Sequence, residues 1–408
     1  MLREAVYTRG QRTLRASIER CDVLRKSDGI LTFPRLIELE GDHLVLAYGR
    51  NQHGGGNEKR FAAASDDLGR TWTDQPPQYP FSDHVQTSGT LGYLRDGTIV
   101  YIDCDPLKVD VKTLGAAGAG IAPSEWKSAG GVTDASAEME NPAFRIRRFS
   151  RAAELLDDSI ITIRDLPWKV ASYAHCGKLL ELDNGDLLAA FFARPVSDPP
   201  TPHSVMHVFI VRSTDGGKSF EFVWQFNELG PNDVAGRMRL LRRPWTAELG
   251  LGDQHAQTPY GTCEPDIELL ANGDILCMMR TGSGSPMVQS RSTDRGQTWS
   301  SPVSIGWPGV RPELRLLSNG VLACSSGRGL YGQPQVTYAM FSLDGTGETW
   351  EYPLAFHTGP GCSYTSNMER DGKLYVTYSH SSFTQPAEIY DLPYHSIEWV
   401  VIDLAVSG

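Results

Sequence analysis

The sequence lacks an excess of basic residues and lacks long apolar runs, and each absence excludes a class of protein. Its 408 residues include 38 lysines and arginines but 49 aspartates and glutamates, which gives a formal net charge of −11. Nucleic-acid binding requires basic side chains that neutralise phosphates, so we expect no nucleic-acid partner. No apolar run reaches the roughly 18 residues that a membrane-spanning helix needs, so we expect no membrane partner.

The cysteine and glycine patterns of common cofactor sites are also missing. The seven cysteines are scattered, without a Cys-x-x-Cys pair or the cysteine and histidine spacing of a zinc site. The segment "GAAGAGIAP" lacks the Lys-Ser/Thr of a phosphate-binding loop. We therefore expect no metal and no cofactor. The N-terminal segment is charged throughout and lacks the apolar core of a signal peptide, which favours a cytoplasmic protein with reduced thiols.

A short repeat stands out against these absences. The segment "SDDLGRTW" at 65–72 recurs as "STDGGKSF" at 213–220, "STDRGQTW" at 292–299 and "SLDGTGETW" at 342–350. In each copy the Ser and Asp can cap a tight turn, the Gly can adopt a positive φ, and the aromatic residue can pack beneath the hairpin. The four segments are therefore predicted to be structural turns.

A second repeat predicts the fold class. Six segments place a Gly, Asp or Asn turn between two short apolar stretches, which is the pattern of a β-hairpin. They are "LEGDHLVLAY", "LRDGTIVYI", "LDNGDLLAAF", "LANGDILCMM", "LSNGVLACSS" and "ERDGKLYVTY". Four of these hairpins are followed by one of the turn segments. The repeat predicts an all-β protein, a six-bladed β-propeller of four-stranded antiparallel blades.

The predicted propeller forms one domain over residues 1–408. The closing segment "IEWVVIDL" is expected to complete a blade with the strand around Arg15 to Leu24. Two stretches do not fit the repeat and are predicted to be loop insertions, at about 105–142 and 226–262.

In such a fold, one mouth of the central channel is surrounded by the starts of the innermost strands and the ends of the second strands. The residues expected at the strand starts are Arg35, His175, Glu264, Arg311 and Tyr364. Those expected at the ends of the second strands are Arg50, Asp105, Arg194, Arg280, Arg328 and His380.

The arginines in this set suggest an acidic ligand. A buried guanidinium needs an anionic partner, and its planar fork matches a carboxylate. Each arginine could instead pair with a channel carboxylate such as Glu264, Asp105 or Glu313. Because the arginines are clustered in an acidic protein, we favour a carboxylate-bearing ligand.

The four turn segments resemble the Asp-boxes of the sialidase (neuraminidase) superfamily, and "FPRLIEL" at 33–39 resembles its first arginine motif. The resemblance implies three arginines that clamp the substrate carboxylate, for which Arg35, Arg280 and Arg328 are the matches. It also implies a tyrosine nucleophile, matched by Tyr364, and a glutamate that activates it, matched by Glu264.

Other family positions match less closely. Arg50 corresponds to a pocket arginine of the family, and Asp83 is the nearest candidate for a pocket aspartate. The family also has an acid/base aspartate in the loop after the second strand, but "GRNQHGGGNEKR" at 49–60 contains no aspartate. His53 or Glu58 would have to serve instead.

Three functions fit this pattern. The first is an exo-glycosidase that removes a terminal acidic sugar such as sialic acid from a glycan, with Tyr364 as nucleophile, Glu264 as its base, and His53 or Glu58 as acid/base. The second is a lyase on a uronate-containing glycan, in which His175 or Tyr364 removes a proton. The third is a glycan-binding protein without turnover. All three imply an acidic oligosaccharide or glycoconjugate as partner.

Overall fold

A computed structural model describes the chain over the following ranges: 3–27, 31–50, 59–82, 89–102, 143–168, 170–195, 206–226, 261–281, 286–327, 336–359, 364–380 and 395–408. These residues form 25 β-strands joined by turns. No helix in these ranges has the length and apolar character needed to cross a membrane. Of the two predicted loop insertions, the one at about 105–142 lies wholly outside the described residues, and the one at about 226–262 lies outside them over 227–260.

Three of the sheets have four antiparallel strands each. The first consists of β3 (Leu31–Glu38), β4 (Leu44–Arg50), β5 (Lys59–Ser65) and β6 (Thr73–Asp74). The second consists of β15 (Cys263–Leu269), β16 (Ile275–Arg280), β17 (Pro286–Ser292) and β18 (Val303–Pro308). The third consists of β19 (Val310–Leu316), β20 (Leu322–Gly327), β21 (Val336–Ser342) and β22 (Leu354–Thr358).

The two ends of the described chain meet in a five-stranded sheet, in the order β1-β2-β25-β24-β23. Its strands are β1 (Glu4–Arg9), β2 (Arg12–Ser27), β23 (Thr365–Arg370), β24 (Lys373–His380) and β25 (His395–Ser407). The long β2 pairs antiparallel with β25 from Thr13 opposite Ser407 to Ser27 opposite His395. This pairing confirms the predicted partnership between the C-terminal strand and the segment around Arg15 to Leu24.

The remaining eight strands form one closed barrel, in the order β10-β14-β13-β12-β11-β7-β8-β9. They are β7 (Thr90–Tyr93), β8 (Ile99–Ile102), β9 (Ala143–Phe149), β10 (Leu155–Arg164), β11 (Val170–Glu181), β12 (Leu187–Pro195), β13 (His207–Ser213) and β14 (Phe220–Gln225).

The prediction of a six-bladed propeller is therefore wrong: the strands form a closed eight-stranded barrel and four separate sheets. Two short parallel pairings account for the difference. Leu179 of β11 lies opposite Gly92 of β7, and Ile163 of β10 lies opposite Phe220 of β14. A Cβ at position 92 would lie 2.7 Å from the Cβ of Leu179, so glycine permits the close approach of β7 and β11. The all-β class and the six hairpins are confirmed.

The apolar core is divided among the interfaces between neighbouring sheets and the inside of the barrel. The barrel encloses a cluster that includes Phe144, Phe191, Phe209 and Phe220. Separate clusters join the sheet of β15–β18 to the barrel and to the sheet of β19–β22. The central strands also contact one another in succession, β3 with β23, β23 with β19, β19 with β15, and β15 with β11. Polar side chains of these strands are thus brought together at the centre of the molecule.

The four turn segments have the predicted structure. In the third copy, Ser292 Oγ accepts the Gly296 N–H at 2.7 Å, and Asp294 Oδ1 accepts the Thr298 N–H at 2.9 Å. The indole N–H of Trp299 donates to the Gly296 carbonyl at 3.2 Å. Gly296 has a φ of 81°, and a Cβ at that position would lie 2.6 Å from a methyl carbon of Leu188 in the neighbouring barrel. The turn is therefore both a cap and a spacer between sheets.

We predict that Asp294→Ala lowers the free energy of unfolding by about 1 to 2 kcal/mol at pH 7, since the N–H groups of Gln297 and Thr298 lose a charged acceptor. Burial alone would raise the pKa of Asp294, but hydrogen bonds from Thr298, Ser292 and Gln297 bring it below its usual value. Its contribution is thus complete above the unfolded pKa of about 3.9 and is lost as the pH falls through the lower folded pKa.

Urea unfolding measured at several pH values, starting at neutral pH, checks this prediction. Asp403→Ala, at an exposed position of β25, is the control. An equal loss of stability in both variants at pH 7 would contradict it, and so would an Asp294→Ala deficit that does not shrink on acidification.

Candidate active site

Three of the central strands contain the same short pattern, a residue followed by proline and a charged residue. The triplets are Phe33-Pro34-Arg35 in β3, Glu264-Pro265-Asp266 in β15 and Arg311-Pro312-Glu313 in β19. The first residue of each triplet has a positive φ, of 48°, 45° and 40° respectively. The strand pairing shifts register at the same points. Each triplet is therefore a β-bulge, which re-aims the side chains next to it.

Two of the first bulge residues, Phe33 and Glu264, contact Tyr364. Its ring packs edge-on against Phe33, with ring centroids 4.7 Å apart. Its hydroxyl donates a short hydrogen bond to Glu264 Oε1. Tyr364 is only 7% exposed, so its hydroxyl is fixed in place beside a carboxylate.

Glu264 is held from several sides. Its Oε1 also accepts a hydrogen bond from Arg280 Nη1 at 2.8 Å, and the same nitrogen lies 3.5 Å from the Tyr364 hydroxyl. Its Oε2 accepts the backbone N–H of Arg311 at 3.1 Å. Cys263 lies opposite Arg280 in the β15–β16 pairing, so Glu264 and Arg280 meet where the two ends of one hairpin come together. The carboxylate is oriented and adjacent to a phenol, and can accept the phenol proton.

Three arginines are buried around this pair: Arg35 and Arg311 are 1% exposed and Arg280 is 4% exposed. Arg35 contacts Glu313 at 3.5 Å and donates to the Gly177 carbonyl at 3.1 Å. Arg311 Nη1 donates to the Thr365 carbonyl at 3.1 Å, whereas its Nε and Nη2 have no hydrogen-bond partner among the described residues. Arg35 Nε likewise has none there. Buried donors of this kind suit an anionic ligand.

A network of charges lies beside the arginines. Burial raises the pKa of Glu313, but Arg35, Arg311 and Lys178 more than offset this, so its net pKa lies below the usual value. Burial lowers the pKa of Arg35, and Glu313 partly opposes that shift. Lys178 forms ion pairs with Asp266 and Glu268, the latter at 3.1 Å. Opposite charges thus offset part of the cost of burying Arg35 and Glu313.

The structure brings together five of the residues singled out in the sequence, which are Arg35, Glu264, Arg280, Arg311 and Tyr364. Arg50 ends β4 opposite Leu31, His175 lies in β11 opposite Phe191, and Arg194 lies in β12 opposite Ser172. For Arg50, His175 and Arg194 the structure describes the backbone and not the side chain. The other predicted site residues, outside the described ranges altogether, are His53, Glu58, Asp83, Asp105 and Arg328.

The sequence reasoning missed part of this arrangement. It did not include Phe33, which packs on Tyr364, or the ion pairs of Lys178 with Asp266 and Glu268. The repeated proline triplet is the signal that could have found Phe33 and Asp266, because it marks equivalent positions in three strands. Lys178 follows Gly177 and belongs to no such triplet.

The chain is similar in sequence to one known domain and in structure to several known proteins. A model of the BNR repeat-like domain matches residues 177–376. A Hadza microbial sialidase matches in structure with a TM-score of 0.56 at 15% identity, covering 92% of this chain. Trypanosoma rangeli sialidase matches with a TM-score of 0.54 at 12% identity, covering 91% of this chain. Residues 177–376 thus resemble a BNR repeat-like domain, and the described strands have a fold similar to that of these two sialidases.

The matched structures differ in how much of their own length aligns with this chain. A protein of unknown function from Dyadobacter fermentans matches with a TM-score of 0.65 at 15% identity, over 96% of this chain and 99% of its own. The chain spans only 65% of the Hadza microbial sialidase chain and 55% of the Trypanosoma rangeli sialidase chain. At these identities the structural matches describe the fold. No curated protein sequence matches the chain.

We predict that Glu313→Gln lowers the free energy of unfolding by about 3 to 5 kcal/mol at neutral pH, because it leaves the buried Arg35 without its charged partner. Thermal and urea unfolding measure the effect, with Glu348→Gln at an exposed position as control. A loss no larger than that of the control would show that the buried arginine does not depend on Glu313.

Proposed function

We propose that the protein is a sialidase-like exo-glycosidase that cleaves a terminal carboxylate-bearing sugar, such as sialic acid, from a glycan. The observation that carries the proposal is the hydrogen bond from the Tyr364 hydroxyl to the Glu264 carboxylate, which Arg280 also contacts. A tyrosine nucleophile is the sialidase variant of glycoside hydrolysis.

In the proposed first step, Glu264 takes the proton of the Tyr364 hydroxyl as the phenolate oxygen attacks the anomeric carbon. The bond to the leaving oxygen breaks, and that oxygen takes a proton from an acid, for which His53 and Glu58 are the candidates. In the second step water attacks the anomeric carbon and gives a proton to the group that acted as acid in the first step, the bond to Tyr364 breaks, and the phenolate regains its proton from Glu264. The sugar is released, and its configuration is retained after two inversions.

The carboxylate of the sugar is assigned to the arginines. Arg35, Arg280 and Arg311 are buried near the tyrosine, and Arg35 and Arg311 carry N–H groups without a partner among the described residues. A bidentate arginine–carboxylate contact gives both charge neutralisation and orientation. The further substrate-binding residues that we propose from the sequence are Arg328, Arg50, Arg194, Asp83 and Asp105.

Related structures support this chemistry by analogy. One Trypanosoma rangeli sialidase structure contains sialic acid, and another contains 2,3-difluorosialic acid described as a covalent intermediate. Here the neighbouring tyrosine, glutamate and arginine offer the groups that such an intermediate requires.

The decisive experiment combines a panel of fluorogenic sialosides with an absorbance assay for unsaturated uronates. We expect release of the fluorophore, reduced by more than about a thousandfold in Tyr364→Phe because the nucleophile is lost. Glu264→Gln should lower kcat by about 10² to 10⁴-fold, since it removes a general base. Tyr352→Phe, at a position that is 72% exposed, is the matched control and should retain full activity.

Other outcomes would favour the alternatives. Uronate absorbance without fluorophore release would support a lyase, and glycan binding without either signal would support a binding protein. Turnover that survives Tyr364→Phe would contradict the glycosidase mechanism itself.

A further inference from the structure

Two histidines and a glutamate converge where the sheet of β19–β22 meets the five-stranded sheet. They are His357 of β22, His380 at the end of β24 and Glu398 of β25. One donor atom from each lies within 4.8 Å of the other two. The two imidazole centroids are 4.7 Å apart, and His380 Nδ1 is 3.4 Å from Glu398 Oε1.

The carboxylate of the cluster is already oriented by neighbours. The Ser396 hydroxyl donates to Glu398 Oε1 at 2.7 Å, and the Tyr378 hydroxyl donates to Glu398 Oε2 at 3.0 Å. Metal-binding carboxylates are commonly held in this way by outer hydrogen bonds, which fix the ligand before the metal arrives. His357 is 8% exposed and the side chain of His380 is 25% exposed, so the cluster is partly buried and still reachable from solvent.

We propose that His357, His380 and Glu398 form a binding site for a divalent transition-metal ion such as Zn²⁺. Two imidazoles and one carboxylate are a ligand set that such ions prefer, whereas Mg²⁺ and Ca²⁺ prefer oxygen ligands alone. The site goes beyond the proposed glycosidase and does not depend on it. The proposal also differs from the sequence-based expectation of no metal. The sequence did not predict the site because its three ligands are separated along the chain and form no short motif.

The geometry needs only a modest adjustment. Ligand-to-zinc distances of about 2.0 to 2.2 Å require the donor atoms to move closer than their present separation. His380, the most exposed of the three side chains, can rotate toward the other two. His395 begins the same strand as Glu398, and its Nδ1 is buried without a hydrogen-bond partner among the described residues. It is a protein candidate for the fourth position, which water could otherwise fill.

A metal there would join two sheets. His357 belongs to the outer strand of one sheet, and the other two ligands belong to the middle strands of the next. A bound ion stabilises the folded state in proportion to its concentration over its dissociation constant. The expected role is therefore structural, with an increase in melting temperature when the ion binds.

The test uses the full chain, stripped of metal with EDTA and dialysed, and then titrated with Zn²⁺. We expect one Zn²⁺ per chain by mass spectrometric metal analysis and a rise in melting temperature that Mg²⁺ and Ca²⁺ do not produce. His380→Ala and Glu398→Gln should each weaken Zn²⁺ binding by at least about tenfold, and Ser396→Ala should do so by about tenfold through the loss of an outer hydrogen bond.

Two controls separate this site from adventitious binding. His43→Ala removes an exposed histidine that pairs with Asp66 at 2.7 Å, and Cys21→Ser removes an exposed thiol. Both should leave Zn²⁺ affinity unchanged. Melting curves in EDTA show which variants are folded, and Ser396→Ala keeps all three ligands if a ligand variant fails to fold. Absence of stoichiometric binding to the wild type would overturn the proposal, as would wild-type affinity in His380→Ala and Glu398→Gln or a loss only in a control.

Discussion

Burying arginine in an all-β core is the constraint on which the centre of this protein depends. Burying an unpaired guanidinium group lowers the stability of the fold greatly. Arg35 forms an ion pair with Glu313, and Arg280 forms one with Glu264. The Arg311 side chain donates to a backbone carbonyl, and the Arg311 backbone N–H donates to Glu264. Its remaining buried donors have no partner among the described residues. An acidic ligand would supply the missing acceptors, so the same constraint that shapes the core also favours a carboxylate-bearing substrate.

The proline bulges explain how a regular sheet presents these groups. A non-glycine residue with positive φ costs on the order of 1 to 3 kcal/mol, and three central strands have such a residue directly before a proline. The strain is confined to one end of each strand, while the rest of the strand keeps its pairing and its apolar contacts. Glu264 of β15 can therefore reach Tyr364, which directly precedes β23 of another sheet. Strain, buried charge and the candidate nucleophile occur at the same place, as is common in active sites.

Local patterns in the sequence predicted local structure well. The six hairpins and the Asp-box turns are set by nearby glycines, aspartates and apolar residues, and all were found. The grouping of strands into sheets was predicted wrongly, because the pairings of Leu179 with Gly92 and of Ile163 with Phe220 join distant segments and leave no periodic signal. Glu264, Arg280 and Tyr364 were predicted to lie close together because they occupy equivalent positions in the hairpins. The Lys178 ion pairs could not be predicted in this way, because they depend on three-dimensional packing.

The central claim is that the buried arginines recognise a carboxylate. Calorimetric titration of the protein with sialic acid and with its methyl ester tests this directly, because the two sugars differ at the carboxylate alone. We predict that the acid binds at least about tenfold more tightly than the ester, as expected from charge-assisted arginine contacts. Equal affinity for acid and ester, or no measurable binding of the acid, would contradict the account.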